Sequence, residues 1–175
     1  ALTWSVGNNQ IAMVNSLGKI TGLSAGTTVI TCISSNNIQA SVIVTVKPML
    51  AIQVDILPSN LALHINETHQ LEVSILPIKT TDKSVTWSSS DPSIASVSQG
   101  LITTKAIGQT TIYAITNNNV VGECIVNVTP IEASEISISV SNIEIMVSET
   151  HQLSAQIFPN NVTNPTIQWY SSNTS

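Results

Sequence analysis

Residues whose side chains could bind a metal ion are few in this sequence. The three histidines are His64, His69 and His151. His69 and His151 hold the same place in two copies of the motif ETHQL, at 67–71 and 149–153, so domains stacked end to end would keep them apart. His64 and His69 could approach each other, but a structural zinc site has about four ligands and no third is evident. The spacing therefore favours histidines that lie at strand edges over histidines that bind a metal ion.

Calcium is the stronger candidate among the metal ions. Glu132 and Glu135 lie close together near a predicted domain boundary. Calcium, however, takes about six to eight oxygen ligands, several of them from carboxylates, and the other predicted boundary has only Asp55 nearby. The sequence therefore predicts no resident metal and no other cofactor, with Glu132 and Glu135 as the candidates for a calcium site.

Serine is abundant, but the sequence offers nothing to activate it. A serine nucleophile needs a histidine and an orienting carboxylate that converge on its hydroxyl. The run Ser88–Ser90 precedes Asp91 and Pro92, a pair typical of the start of a turn. Because no acid–base pair, nucleophile or phosphate-binding loop can be assembled, we predict no catalytic residue and expect a protein that is not an enzyme.

The two cysteines, Cys32 and Cys124, are expected to be free thiols. Superposing the chain on itself so that the two copies of ETHQL coincide places Cys32 at the position of Ala114, and Cys124 at the position of Val42. The two thiols then belong to different strands of different domains. A disulfide requires Cα atoms within about 7 Å, so both cysteines are predicted to pack as small apolar residues.

The composition excludes two classes of partner. Only 9% of the 175 residues are charged, no Arg is present, and the net charge is −5, whereas nucleic-acid binding depends on clustered Lys and Arg. No apolar run approaches the roughly 18 residues of a membrane-spanning helix, so direct membrane insertion is not expected. The opening residues, ALTWSVGNN, do not resemble a signal peptide, although the sequence begins within a repeat.

An internal repeat is the strongest signal in the sequence. LTWSVGNNQIAMV at 2–14 returns as VTWSSSDPSIASV at 85–97, and IQW follows at 167–169. The three tryptophans, Trp4, Trp87 and Trp169, therefore recur at nearly equal intervals, and we predict that each is the core indole of one repeat. The intervals differ slightly because the turn VNSLG in the first copy is longer than its counterpart VSQG in the second.

The period divides the chain into three parts. They are the C-terminal half of a repeat at 1–47, a complete repeat at 48–130 and the N-terminal half of a repeat at 131–175. The boundaries fall at Pro48 and Pro130, because proline lacks the amide donor that strand pairing needs.

Alternating apolar residues predict strands throughout the complete repeat. Inward-facing positions are expected in three sets: Leu71, Val73 and Ile75; Thr110, Ile112 and Ala114; Cys124, Val126 and Val128. No segment shows a sustained helical period. The presence of about seven short strands in one repeat favours an all-β fold, in which each repeat is an antiparallel β-sandwich.

The segment VTWSSSDPSIASVSQGLITTKAIGQTTIYAIT, followed by GECIVNVTP, resembles the bacterial Ig-like domain, group 2 family. The resemblance covers essentially the whole chain and implies tandem immunoglobulin-like sandwiches. Asn66 and Ser148 depart from it, since Gly often precedes Glu-Thr in the family. The resemblance further implies an extracellular protein, secreted or on a bacterial cell surface, or alternatively a phage virion protein. It carries over no catalytic residue.

Two functions remain open at this point. The first is a structural or spacer role in a larger surface or fibre protein, whose partners are neighbouring repeats of the same chain and other copies in a fibre. The second is an adhesive module that recognises a host protein or glycan through loops at the sandwich ends. Those loops, at 34–37, 117–119 and 160–164, are polar, and Tyr170 is the exposed aromatic candidate. The structural role is favoured because binding loops usually carry aromatic or charged anchors.

The two half-repeats could also complement each other between chains and form a head-to-tail polymer by strand donation. Both halves, however, contain the Trp strand, so a composite domain would carry that strand twice. This redundancy favours a window of a longer chain over a polymer.

Overall fold

The computed structural model describes residues 2–172, which form sixteen β-strands and no helix, and so none that could cross a membrane. This confirms the all-β prediction. The strands are β1 Leu2–Val6, β2 Ala12–Val14, β3 Ile20–Gly22, β4 Gly26–Ser34, β5 Gln39–Val46, β6 Gln53–Leu57, β7 Asn60–His64, β8 Thr68–Gln70, β9 Glu72–Leu76, β10 Val85–Ser89, β11 Ala95–Ser98, β12 Leu101–Thr104, β13 Gly108–Thr116, β14 Val121–Thr129, β15 Glu135–Ile138 and β16 Ala155–Phe158.

Two compact units make up the chain. One contains the residues up to Gln53 together with Ile75–Ser84, and the other contains Val54–Ser74 together with the residues from Val85 onward. Strands β5 and β14 end just before Pro48 and Pro130. The repeat boundaries at these prolines stay a prediction, and the last three residues of the third predicted part lie outside the described residues.

The second unit has its core between two sheets. One sheet has the strand order β10-β13-β14-β7 and the other has the order β11-β12-β8. The longest ladder joins β13 and β14 in antiparallel register from Gly108↔Val128 to Ile115↔Val121. The residues of β13 and β14 that were predicted to face inward are all buried. Ile102 of β12 is buried as well. Branched aliphatic side chains that alternate along these strands therefore fill the space between the sheets.

One strand pair departs from the predicted antiparallel arrangement. β7 runs parallel to β14, from Ile125↔Asn60 to Thr129↔His64, whereas β6 pairs with β9. Pro58 separates β6 from β7 because it cannot donate a ladder hydrogen bond, and the Ile125 amide then bonds to the Ser59 carbonyl at 3.0 Å. The chain thus changes sheets between β6 and β7, which places β7 alongside the last strand in the same direction.

The first unit repeats the strand registers of the second. Its main sheet has the order β1-β4-β5. Trp4 lies opposite Cys32, as Trp87 lies opposite Ala114. Likewise Val42 lies opposite Ile30, and its counterpart Cys124 lies opposite Ile112. The positions that the sequence assigned to the two cysteines are therefore confirmed strand by strand.

The buried Thr104 of β12 forms hydrogen bonds with the turn between β7 and β8. The Thr104 hydroxyl accepts a hydrogen bond from the Glu67 amide at 2.8 Å. The same hydroxyl lies 2.8 Å from the His64 carbonyl oxygen and 3.0 Å from that of Glu67, to either of which it can donate. One hydroxyl therefore satisfies backbone groups that would otherwise be buried without partners.

Thr104→Val is expected to lower the free energy of unfolding by about 1–3 kcal/mol, because valine keeps the branched shape but leaves the Glu67 amide without its partner. Urea unfolding followed by circular dichroism measures the loss. Thr103→Val is the matched control, since Thr103 is exposed on the same strand. Equal stability of the two variants would contradict the assignment.

Candidate functional site

The segment that contains Asp91 forms a turn held together by side-chain hydrogen bonds. The Asp91 carboxylate accepts hydrogen bonds from the amide and the hydroxyl of Ser93. The Asp91 amide donates to the Thr110 hydroxyl at 3.0 Å, and the hydroxyls of Ser89 and Ser90 lie 3.0 Å from the same oxygen. The hydroxyls of Ser89 and Ser90 therefore contact Thr110, and a turn follows Asp91 as the sequence predicted, with the Ile94 amide donating to the Asp91 carbonyl at 3.2 Å.

The hydrogen bonds from Ser93, its hydroxyl first and then its amide, lower the pKa of Asp91 below the ordinary value of 3.8. Because the folded pKa lies below the unfolded one, the charged turn contributes stability above pH 3.8, and this contribution is lost as the pH falls through the folded pKa. Asn8 occupies the same place in the first unit and accepts a hydrogen bond from the Gln10 amide at 2.9 Å. The side-chain amide of asparagine therefore fits this turn as well as a carboxylate does.

The Asp91→Asn variant is therefore expected to keep the fold and to lose less stability than the wild type as the pH falls. The measurement is the difference in urea midpoint between wild type and Asp91→Asn at about pH 7 and about pH 3. That difference should shrink toward acid, because other carboxylates titrate equally in both proteins. A difference independent of pH would show that the Asp91 charge does not stabilise the turn.

The three tryptophans do not share one environment. Trp4 in β1 and Trp87 in β10 are half-buried, each beside a glycine. Trp169 lies outside any strand and is 52% exposed. A core role for Trp169 stays a prediction.

Both cysteines are free. Cys124 is fully buried, and desolvation raises the pKa of its thiol above the ordinary value of 9.0. A thiol that stays protonated and inaccessible is a poor nucleophile. Cys32 is half-buried and lies opposite Trp4.

His64 makes side-chain contacts, whereas His151 is exposed and lies outside any strand. The Nδ1 atom of His64 lies 3.0 Å from the Pro130 carbonyl oxygen and 3.2 Å from the Thr129 hydroxyl, so this ring joins β7 to the end of β14. His69 lies opposite Ile102 in the β8–β12 ladder. Within residues 2–172, no three side chains of His, Cys, Asp or Glu come together in a group that could hold a metal ion.

The calcium candidates Glu132 and Glu135 are both exposed. Glu135 begins β15 and lies opposite Phe158 of β16. We expect that adding calcium, or removing it with a chelator, leaves the melting temperature unchanged, because two exposed carboxylates supply too few ligands. A calcium-dependent rise in melting temperature that Glu135→Gln removes would contradict this expectation.

A groove that the sequence did not predict lies where β6 passes β14. Its volume is about 460 Å³, and it brings the carboxylate residues Asp55 and Glu123 to the same opening with Ser59 and Ser74. These carboxylates lie far apart in the sequence, which gives no sign that they meet. No histidine or lysine is among the residues that line the groove.

Two of the predicted end loops are closed by their own hydrogen bonds. In the loop at 34–37, the Ile38 amide donates to the Ser34 hydroxyl at 3.0 Å. In the loop at 117–119, the Val120 amide donates to the Thr116 hydroxyl, also at 3.0 Å. Asn37 and Asn119 adopt the same positive φ, 64° and 63°, a conformation that asparagine tolerates well. Two repeats therefore present the same compact polar tip.

The two units share the same strand registers around a half-buried tryptophan, Trp4 in one and Trp87 in the other. This arrangement defines a class of protein, the immunoglobulin-like β-sandwich repeat. The chain belongs to the bacterial Ig-like domain (group 2) family, whose model matches residues 1–46 and 51–126.

Two relatives come from Clostridium acetobutylicum, and both are uncharacterized proteins. One is 33% identical over 138 residues, which are 73% of this chain and 14% of the relative. The other is 47% identical over 55 residues, which are 31% of this chain and 14% of the relative. The chain therefore matches about one seventh of the length of each.

Similar solved structures are multidomain proteins. Domains 4 and 5 of the S-layer protein SbsC are 19% identical with a TM-score of 0.44, covering 73% of this chain and 70% of that one. The longer SbsC structure, residues 31–844, is 17% identical with a TM-score of 0.47, covering 95% and 24%. The C-terminal fragment of intimin, solved in complex with the intimin-binding domain of the translocated intimin receptor, is 19% identical with a TM-score of 0.34, covering 80% of this chain and 54% of that one.

Proposed function

We propose that this chain is a non-catalytic spacer segment of a larger bacterial extracellular protein, at the cell surface or in a fibre. The observation that carries the proposal is the recurrence of one strand framework along the chain. The pairs Trp4↔Cys32 and Trp87↔Ala114 occupy equivalent positions in β1–β4 and β10–β13. A repeated unit sets a length that grows with the number of copies, which is what a spacer requires.

The polar character of the chain also supports this role. Ser, Thr and Asn make up about a third of the residues, and few side chains are charged. The tip loops satisfy their own backbone groups through Ser34 and Thr116. Because such loops offer neither an aromatic nor a charged anchor, binding through them would lack the usual hot-spot residues.

An adhesive role is the second candidate, and a role in a phage virion is a further setting for the same spacer. One observation favours adhesion: Tyr170 is 84% exposed, and tyrosine is enriched at binding surfaces. The ligand would be a host protein or a glycan. Tyr170, however, lies outside the tip loops and outside any strand.

An exchange experiment separates the two roles. In the longer protein, unrelated β-sandwich domains of equal number would replace these repeats. The spacer role predicts that the exchange preserves function and that deletion of the repeats abolishes it. Loss of function on exchange would refute the spacer role.

A binding assay on the isolated chain is the complementary test. The chain is offered to immobilised glycans and extracellular-matrix proteins, and no saturable binding is expected. Saturable binding that Tyr170→Ala or alanine substitution of Asn117–Asn119 removes would establish adhesion instead.

A further inference from the structure

We infer that the groove between β6 and β14 is a docking site for an unstructured segment of another protein, in which lysine or arginine alternates with apolar residues. We refer to this groove as the flank groove. The segment would add as a short strand to the edge of β14 at Val121–Cys124. The inference goes beyond the proposed spacer role, because it assigns a partner to one repeat, and it involves neither the tip loops nor Tyr170.

β14 has an open edge inside the complete repeat. β7 pairs with β14 only from Ile125 onward, and β6 belongs to a different sheet, in which it pairs with β9. Among residues 2–172, the segment Val121–Cys124 therefore has a ladder partner only on its β13 side. This edge is roughly 13 Å long at the usual rise per residue, so a short extended segment fits along it.

The alternation along β14 directs the backbone of Glu123 toward this edge. The Ile125 amide donates a hydrogen bond to the Ser59 carbonyl at 3.0 Å, on the side away from β13. Successive residues of a strand direct their peptide groups to opposite sides, so Glu123 points the same way as Ile125. Its amide and carbonyl groups are therefore positioned for the main-chain hydrogen bonds through which an added strand binds.

The lining of the flank groove combines exposed apolar side chains with carboxylates. Leu57 is 54% exposed and Val121 is 44% exposed, and both line the groove together with Asp55 and Glu123. Since no lysine or histidine is among the lining residues, the opening is negatively charged. A segment with alternating basic and apolar side chains matches both the charge and the apolar surface, whereas an acidic segment would be repelled.

The composition of this lining is peculiar to the complete repeat. The interval between the two ETHQL motifs gives the counterparts of Asp55, Leu57, Val121 and Glu123 in the other copies. Uncharged polar residues occupy all four positions: Ser137, Ser139, Gln39 and Ser41. The immunoglobulin-like framework therefore requires neither the carboxylates nor the apolar side chains here. Acidic residues are scarce in this chain, ten in 175, and two of them meet at this groove.

Gly122 allows the two walls of the flank groove to approach each other. An added Cβ at this position would lie 2.8 Å from both the carbonyl oxygen and Cγ1 of Val54, so β6 comes this close to β14 only because residue 122 has no side chain. The first copy of the repeat has Ala40 at the same position. The close approach is therefore a second feature that belongs to this repeat and not to the framework.

Calorimetric titration of the full 175-residue chain tests the inference. The probe is a synthetic peptide of about six residues in which lysine and valine alternate, long enough to cover the open edge. We expect saturable binding of one peptide per chain, because one repeat carries this lining. Binding should weaken as the salt concentration rises, since exposed charge pairs are screened. A peptide with glutamate in place of lysine, and one with serine in place of valine, should each bind at least about tenfold more weakly.

A pair of substitutions places the binding at the flank groove. Asp55→Asn combined with Glu123→Gln should weaken binding of the lysine–valine peptide about tenfold, the effect expected for the loss of two exposed ion pairs. The matched control combines Glu132→Gln with Glu144→Gln, which changes the net charge equally at two exposed residues outside any strand. This control should bind the peptide as the wild type does.

Hydrogen exchange separates strand addition from simple attraction between charges. At saturation with the lysine–valine peptide, exchange of the Glu123 amide should slow by at least about tenfold, because the amide gains a main-chain hydrogen bond. Spermine, a polycation without a peptide backbone, should leave this exchange rate unchanged even at a concentration that competes with the peptide.

The absence of saturable binding would overturn the inference and leave the spacer role in place. It would also be overturned by equal binding of the glutamate-containing peptide, by an equal loss of affinity in the two pairs of substitutions, or by unchanged exchange of the Glu123 amide at saturation. Charges at a strand edge can also serve only to prevent pairing between chains. A flank-groove variant that self-associates but keeps its affinity for the peptide would establish that role instead.

Discussion

Trp87→Ala is expected to lower the free energy of unfolding by about 3 kcal/mol, whereas Trp169→Ala should cost less than about 0.5 kcal/mol. Trp87 is half-buried within β10 and lies against Gly100, so its removal leaves a cavity. Trp169 is 52% exposed and contributes to no sheet. The two substitutions should therefore differ in their effect on stability, because Trp87 is half-buried whereas Trp169 is 52% exposed.

Urea unfolding followed by far-UV circular dichroism measures both variants without relying on the fluorescence of the residue that is removed. A fusion extends the test. Joining a copy of residues 91–130 after residue 172 supplies the strands that would cover Trp169. In that fusion Trp169→Ala should become as costly as Trp87→Ala. If it remained silent, the sequence repeat would not be a folding unit.

Gly100→Ala is the second substitution with a large expected effect, a loss of about 2–3 kcal/mol in the free energy of unfolding. Gly100 has a φ of 81°, a conformation that is unfavourable for alanine by about 1–2 kcal/mol. An added Cβ would also lie 2.7 Å from Nε2 of Gln70 and 3.2 Å from Cζ2 of Trp87. The glutamine would have to move, although it donates hydrogen bonds to the carbonyls of Leu71 and Gln99.

The neighbouring position provides the control for Gly100→Ala. Gln99 has a φ of 50° and an exposed side chain, so Gln99→Gly should relieve strain and change stability by no more than about 1 kcal/mol. Thermal unfolding should show a fall of roughly 10 °C or more for Gly100→Ala alone. If both variants melted at the wild-type temperature, the turn would not require glycine.

Much of the fold could be predicted from the sequence because buried positions alternate along each strand. Ile112, Ala114 and Val126 were expected to face inward, and all three are buried. The repeat also predicted that Cys32 and Ala114 are equivalent. The interval between them equals the interval between the two ETHQL motifs. These inferences depend on local period and on self-similarity, both of which are visible in a single sequence.

Other features could not be predicted because they depend on which sheet a strand joins. The alternation in Asn60–His64 shows a strand but not its partner, so the parallel pairing of β7 with β14 was not foreseen. The groove that brings Asp55 and Glu123 together was missed for the same reason, since β6 must first pass β14. The 52% exposure of Trp169 was not foreseen either, because the repeat predicts an equivalent position and not how much of the side chain is covered.

The parallel pairing of β7 with β14 has a mechanical consequence. β7 lies near the start of the complete repeat and β14 ends it, so tension applied to the two ends would pull these strands in opposite directions along their length. The ladder from Ile125↔Asn60 to Thr129↔His64 would then be loaded in shear, with its evenly spaced bonds sharing the force. Such a ladder resists stretching better than a hairpin that unzips one bond at a time.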